Sequence, residues 1–225
     1  MDKKVIIITG ASSGMGKVTA LQLLQEGHIV YGGARRVEKM QELEEAGGHA
    51  LALDITKEEQ VVDFVNTVVE QEGHIDVLIN NAGFGMYGAM EDTTIDDARY
   101  QFEVNIFGLA RITQLVLPHM RKQASGKIIN ISSMGGKMYT PLGSWYHATK
   151  HALEGWSDSL RLELKQFGID VVIIEPGIIE TEFGDVLMEP MMRRSGEGPY
   201  ANLAKAVKKA TEESYSENNG SPSTV

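Results

Sequence analysis

Val5-Ile6-Ile7-Ile8-Thr9 followed by Gly10-Ala11-Ser12-Ser13-Gly14-Met15-Gly16 is an apolar run that breaks into a glycine-rich turn and leads directly into a segment of helical pattern. Glycines in a strand-to-helix turn let the backbone approach a bound group closely, and the free N–H groups of the helix start favour negative charge there. The spacing is G-x-x-x-G-x-G rather than the generic dinucleotide fingerprint, so the strand and helix on either side carry much of the weight. Without a ligand, the same stretch would be only a tight turn.

Working outward, β-rich apolar runs alternate with amphipathic segments. Strands are expected at Val5 to Thr9, Ile29 to Ala34, Ala50 to Leu53, Val77 to Asn80, Lys127 to Ile131 and Asp170 to Glu175. Helices are expected at Met15 to Gln25, Val37 to Ala46, Glu58 to Glu72, Asp96 to Lys122 and Ser144 to Gln166, with Pro118 bending or shortening the fourth. The alternation predicts an α/β fold, a Rossmann-like doubly wound parallel sheet flanked by helices, and continuous apolar strands fit a sheet covered on both faces. The whole chain, 1–225, reads as one domain. From Gly177 to about Tyr215 a substrate loop and a covering helix are expected, and the polar tail from Ser216 to Val225 reads as frayed.

Composition narrows the chemistry. A formal charge of −10 over 225 residues disfavours a nucleic-acid partner, which requires a basic face. The absence of cysteine excludes disulfides and thiolate metal sites. The start Met1-Asp2-Lys3-Lys4 lacks signal-peptide architecture, and no apolar stretch reaches membrane-spanning length. A cytoplasmic protein with a small-molecule substrate and no membrane partner is therefore expected.

Two further motifs follow in order: Asn80-Asn81-Ala82-Gly83 after the fourth strand and Tyr146-His147-Ala148-Thr149-Lys150 later. With the glycine turn they closely resemble the short-chain dehydrogenase/reductase family, from about Lys4 to Thr181. The resemblance implies an oxidoreductase that moves a hydride between a nicotinamide cofactor and a carbonyl or secondary alcohol. A catalytically silent nucleotide-sensing or scaffolding protein is the rival on the same fold, and the intact Ser133, Tyr146 and Lys150 argue against it.

The end of the second strand is where such folds usually carry an acidic residue against the ribose 2′-hydroxyl. Here it reads Gly33-Ala34-Arg35-Arg36, and a guanidinium pairs bidentately with phosphate. NADP(H) is the expected cofactor, with Arg35 on the 2′-phosphate and Arg36 or Ser12 assisting. An ordinary solvated arginine pair is the alternative. Gly10, Ser12, Ser13, Gly14, Met15 and Gly16 form the expected phosphate cradle. By resemblance, Asp54 and Ile55 border the adenine, while Asn81, Ala82 and Gly83 border the adenosine ribose and the diphosphate. Asp54 reads equally well as a turn residue before the next helix, with Thr56 as its cap. Pro176, Gly177, Ile179 and Thr181 match the segment that meets the nicotinamide carboxamide.

Tyr146 and Lys150, four apart on a helix, share one face. A free tyrosine has a pKa of about 10, and a nearby ammonium lowers it toward the working range. The resemblance makes Tyr146 the proton-exchanging residue, gives Lys150 the nicotinamide ribose, and places Ser133 on the substrate oxygen with Ser132 as second choice. It puts Asn105 where a water links Lys150 to solvent. His147 and His151 are also four apart but lack the rest of a metal site, so no metal is expected and both read as helix-surface or interface residues.

Met86, Met134, Met138, Tyr139, Phe183, Met188 and Met191 are candidate pocket residues favouring an apolar substrate, or they fill core gaps. The resemblance also implies a homodimer or homotetramer built on the helices at Asp96 to Lys122 and Ser144 to Gln166. The family pattern usually continues into a seventh strand, and no apolar run follows Tyr215. Either the chain stops early or the sheet keeps an exposed edge.

Overall fold

The computed structural model describes residues 2–179, 183–217 and 221–222, with side chains described outside 183–186 and 215–217. Six parallel strands form one sheet in the order β3-β2-β1-β4-β5-β6. They are β1 (Val5–Thr9), β2 (Ile29–Ala34), β3 (His49–Ala52), β4 (Val77–Asn80), β5 (Gly126–Ile131) and β6 (Ile169–Ile174). Ile6, Ile7 and Ile8 of β1 pair with Val30, Tyr31 and Gly32 on one side and with Val77, Leu78 and Ile79 on the other. All six expected strands are present. The third and sixth start and end one residue earlier than their apolar runs suggested.

Every residue of β1 is buried. Val5 and Ile7 point into a cluster with Val61, Phe64, Val65 and Val68 of α3 (Glu58–Glu72) and with Ile112, Val116 and Met120 of α5 (Leu109–Gln123). Ile6 and Ile8 point the other way, toward Ala20 of α1 (Gly14–Gln25) and Leu43 of α2 (Gln41–Glu45). Two cores, one on each face, explain why the run is continuously apolar.

The helix expected over Asp96 to Lys122 is longer and interrupted. α4 (Ile95–Phe102) passes through a π-helical turn, Glu103–Gly108, into α5. Pro118 lies inside α5 without ending it; the stop comes at Ala124, whose φ is 52°. The second helix starts as a 3₁₀ turn, Val37–Met40, before α2. After α6 (Ser144–Leu164) and β6, the segment expected as loop plus helix contains two helices, α7 (Phe183–Ser195) and α8 (Ala201–Glu217). α7 continues past Pro190 because Met188 and Met191 are buried against Tyr87 and Tyr146, and packing overrides the proline. No helix among the described residues is long and apolar enough to cross a membrane. The expected frayed tail lies mostly outside the described residues.

The strand order reverses between β1 and β4, so their carboxyl ends open the crevice where such sheets bind ligands. There the backbone N–H groups of Asn81 and Ala82 donate to Thr9 Oγ1 at 3.1 and 3.0 Å. Asn81 Nδ2 donates to the Thr9 and Gly10 carbonyls at 3.0 and 3.1 Å.

Candidate active site

The glycine turn has the geometry its residues demand. Gly10 has φ 71° and Gly14 φ 55°, both in the left-handed region. A Cβ on Gly10 would lie 2.9 Å from Ala82 Cα. Ser13 precedes α1 in extended conformation and makes no side-chain cap bond, and no acidic residue occupies the first turn, so the helix start offers its N–H groups to an anion. Gly16 serves packing instead, and it does not line the cleft. A Cβ there would stand 2.4 Å from the Gly10 carbonyl oxygen and 2.4 Å from Asn81 Nδ2, so only glycine lets α1 close against the turn. Gly16→Ala is expected to cost roughly 1–3 kcal/mol of stability. A melting temperature equal to that of the parent protein would contradict this.

From this turn a cleft of about 930 Å³ runs along the carboxyl edge of the sheet. It is lined by Gly10, Ser12, Ser13, Gly14 and Met15 of the turn, by Arg35, Arg36, Asp54 and Ile55 after β2 and β3, by Asn81, Ala82 and Gly83 after β4, and by Pro176, Gly177 and Ile179 after β6. Thr181 lies outside the described residues. Arg35 is exposed, and its Nη1 lies 3.3 Å from the Tyr100 hydroxyl. Asp54 Oδ1 accepts from the Thr56 N–H at 3.0 Å and from Thr56 Oγ1 at 2.8 Å, so Asp54 both borders the cleft and builds the turn before α3. The residue capping α3 is Lys57, not Thr56.

Ser133, Tyr146 and Lys150 line the same cleft. Ser133 caps the short turn Met134–Gly136, its Oγ accepting from the Gly135 N–H at 3.0 Å. Tyr146 and Lys150 are both buried. Lys150 Nζ donates to the Ile131 carbonyl at 2.9 Å, and burial pushes its ammonium down to about 8 while the Glu154 charge opposes the fall. Ser132, also at the wall, gives its hydroxyl to Glu154 Oε1, and so is committed away from a substrate.

Asn105 sits beneath the cleft, within the π-helical turn, and is 2% exposed. Its Oδ1 accepts from the Phe84 N–H, and its Nδ2 donates to the Phe84 carbonyl and to Thr149 Oγ1, each at 3.0 Å. The side chain thus ties the loop after β4 to the helix beside Lys150. Single π turns frequently accompany functional sites. Gly108 admits this one: its Cβ would be 2.5 Å from the Ile55 carbonyl oxygen.

His147, expected on the helix surface or at an interface, is buried within the chain itself. Its Nε2 accepts from the Thr140 N–H at 3.0 Å, which leaves Nδ1 to donate to the Gly135 carbonyl at 2.9 Å. It pins the loop between Gly135 and Thr140, which flanks the cleft. His151 is exposed, as expected, and no group of metal-binding side chains occurs among the described residues.

Of the expected pocket side chains, Met134 and Met138 line the cleft, whereas Met86, Met188 and Met191 are buried core and Tyr139 is 83% exposed outside it. Phe183 falls among the side chains not described. Sequence reasoning missed Tyr87, whose ring lies 5.9 Å from that of Tyr146, and Leu187 and Val207, which bring α7 and α8 to the wall. Their spacing in the chain carries no family signal; only packing places them.

This fold and wall of side chains define a Rossmann-type oxidoreductase domain. The family described as short chain dehydrogenase matches residues 4–191, and the chain belongs to the short-chain dehydrogenase/reductase family, whose fold binds a nicotinamide cofactor. It is 44% identical over 186 residues to the 3-ketodihydrosphingosine reductase of Bacteroides thetaiotaomicron, covering 82% of this chain and 67% of that protein. It is 38% identical over 220 residues to the NADPH-dependent 3-dehydrocapnine reductase of Ornithobacterium rhinotracheale, covering 89% of this chain and 75% of that one. A short-chain dehydrogenase from Streptomyces avermitilis superposes with a TM-score of 0.86 at 36% identity, covering 99% of this chain and 81% of that one.

Proposed function

We propose that this protein is an NADP(H)-dependent oxidoreductase that interconverts a hydrophobic ketone or aldehyde and the corresponding alcohol. The observation that carries this reading is that Ser133, Tyr146 and Lys150 line the same cleft as the glycine turn. The cofactor fits: the Gly10 position leaves no room for a Cβ, and the uncapped start of α1 faces the cleft beside it. Gly10, Ser12, Ser13, Gly14 and Met15 would hold its diphosphate; Asp54, Ile55, Asn81, Ala82 and Gly83 its adenosine half; Pro176, Gly177, Ile179 and Thr181 its carboxamide. When bound, the cofactor supplies or accepts the hydride.

The chain's own residues do the rest. Ser133 Oγ orients the substrate oxygen by a hydrogen bond, Tyr146 gives that oxygen its proton in reduction or removes it in oxidation, and the Lys150 ammonium favours the phenolate that results. Asn105 holds the helix turn that presents Thr149 and Lys150. Met134, Met138, Leu187 and Val207 offer apolar contact to the substrate, which favours a hydrophobic carbonyl compound. The Bacteroides and Ornithobacterium relatives are named for reducing a keto or dehydro group, so 3-ketodihydrosphingosine belongs in the first substrate panel. Following NADPH absorbance across long-chain and short polar carbonyls tests the reading; equal turnover of small polar sugars would overturn the apolar preference, and no turnover of any carbonyl would overturn the activity.

Arg35 supports NADP(H) over NAD(H): it is exposed at the adenosine end, no carboxylate stands at the end of β2, and a guanidinium there pairs with a 2′-phosphate. Arg36 or Ser12 assists. Arg35→Asp is expected to weaken NADPH binding by roughly 10-fold or more, with NADH favoured in the variant, because loss of a charge-assisted bond costs about 1.5–3 kcal/mol and the carboxylate adds repulsion. Unchanged NADPH affinity would remove Arg35 from the site. A cytoplasmic homodimer or homotetramer accords with this reading, and Phe107 and Leu162, 55% and 78% exposed on the helical face, are the side chains a partner copy would cover.

A further inference from the structure

Glu154 is a carboxylate with only 5% of its surface exposed, one helical turn beyond Lys150 and two beyond Tyr146 on α6. Burial of an acidic side chain is costly unless charge and hydrogen bonds compensate it. Here Oε1 accepts from Ser132 Oγ, and Oε2 lies 2.9 Å from Lys137 Nζ. Lys137 in turn reaches Glu175 Oε1 at 3.4 Å. The fold makes room for the carboxylate: a Cβ on Gly136 would stand 2.9 Å from Glu154 Cγ and Oε1 and 2.9 Å from Ser132 Oγ.

The three residues at the end of β5 thus divide the wall between them. The Ile131 carbonyl takes Lys150, the Ser132 hydroxyl takes Glu154, and Ser133 is left for the substrate. We propose that Glu154 is a positioning residue for the proton-exchange chemistry proposed above: it sets a buried negative charge one helical turn from the Lys150 ammonium, and through Ser132 it fixes the Ser133-bearing turn against the helix that carries Tyr146.

This inference rests on the oxidoreductase reading for its catalytic half only. Buried titratable groups on α6 beside Lys150 include Tyr146, His147 and Glu154, and Lys137, on the turn after β5, links Glu154 to Glu175 after β6. Of these, Glu154 is the negative charge that opposes the effect of burial on Lys150. Glu154→Gln keeps an acceptor for Ser132 and removes the charge, so it isolates the electrostatic half. Ser132→Ala keeps the charge and removes the clamp.

The experiment has two readouts on the wild type, Glu154→Gln, Ser132→Ala and the exposed-side control Lys137→Met. The first, on unliganded protein, follows the Lys150 side chain by NMR with labelled lysine, assigned through Lys150→Arg. The second is kcat against pH with NADPH. In Glu154→Gln the Lys150 titration and the alkaline limb of kcat are both expected about one pH unit lower than in the wild type. In Ser132→Ala the titration stays in place and kcat falls about tenfold at every pH. Lys137→Met moves neither downward. A Lys150 titration in Glu154→Gln that superimposes on the wild type overturns the electrostatic role, and full activity in Ser132→Ala overturns the clamp. A wild type that shows the titration but reduces no carbonyl refutes the oxidoreductase reading while leaving the charge pairing standing. If Glu154→Gln fails to fold, Glu154→Met, which replaces the buried carboxylate by an uncharged side chain of similar length, carries the same titration test with the same expected direction.

Discussion

Tyr146→Phe is expected to reduce kcat by roughly 10²–10⁴-fold, the range over which a positioned general acid acts, with NADPH affinity changed by no more than a few-fold. The two effects separate because the variant removes one oxygen and keeps the ring. That ring does its packing against Tyr87, 5.9 Å away, and against His147, 5.6 Å away, within the cluster that includes Leu187, Met188 and Met191. A retained ring holds the cluster together, so the melting temperature should change by no more than a hydrogen bond's worth, about 1 kcal/mol. Tyr87→Phe makes the matched control. Burial pushes the Tyr87 hydroxyl up from its ordinary value, and it is engaged at 3.1 Å with Thr140 Oγ1 and 3.3 Å from His147 Nε2. It is a poor proton donor in that setting, and its loss should leave kcat within about tenfold. Single-turnover absorbance at saturating NADPH distinguishes them. Should Tyr146→Phe retain activity comparable to that of Tyr87→Phe, the proton comes from elsewhere.

What could be read from the chain before its fold was seen follows a physical divide. Local patterns survived: the β1 run, whose alternate residues fill two cores; the glycine turn, whose positive φ angles at Gly10 and Gly14 only glycine adopts easily; and the i,i+4 pairing of Tyr146 and Lys150. Features created by contacts between distant segments did not. Within the π turn, the Asn105 side chain bonds Phe84, 21 residues away, and Thr149, 44 residues away, and no property of Val104-Asn105-Ile106 announces these contacts. His147 resembled a surface residue by its neighbours in sequence, yet the Thr140 and Gly135 backbones bury it. The segment after Gly177 read as a loop where burial of Met188 and Met191 holds a helix. Ser132 and Ser133 are indistinguishable as letters; what separates them is a carboxylate 22 residues further along. The family resemblance favoured Ser133, but could not show that the Ser132 hydroxyl is committed to Glu154.

Lys150→Met should separate the needs of chemistry from those of stability. The folded protein holds this ammonium down to about 8 because it is buried, well below the value near 10.4 of a lysine in an unfolded chain. The sign follows from proton counting. Below pH 8 both states carry the proton, and the folded state bears the full cost of the buried charge; between about pH 8 and 10 the unfolded state binds more protons, so the contribution of Lys150 to stability improves as pH rises. The penalty below pH 8 is on the order of 3 kcal/mol, and losing the Nζ bond to the Ile131 carbonyl offsets about 1 kcal/mol of the gain on substitution. Methionine, similar in length and uncharged, is therefore expected to raise the melting temperature of the unliganded protein at pH 7 by several degrees, with an advantage that shrinks steadily as the pH approaches 10. Activity should move the other way: without the cation beside Tyr146 the phenolate loses its stabilisation, and kcat should fall by roughly 10²–10⁴-fold at neutral pH. Thermal melts at half-unit pH steps, run beside kcat on the same samples, read both effects. A variant less stable than the wild type at pH 7, or one whose advantage grows with pH, would mean that the Glu154 charge and the Ile131 carbonyl together outweigh the cost of burying the ammonium. The buried charge would then be structural, and the case for Lys150 as a strained catalytic cation would be lost.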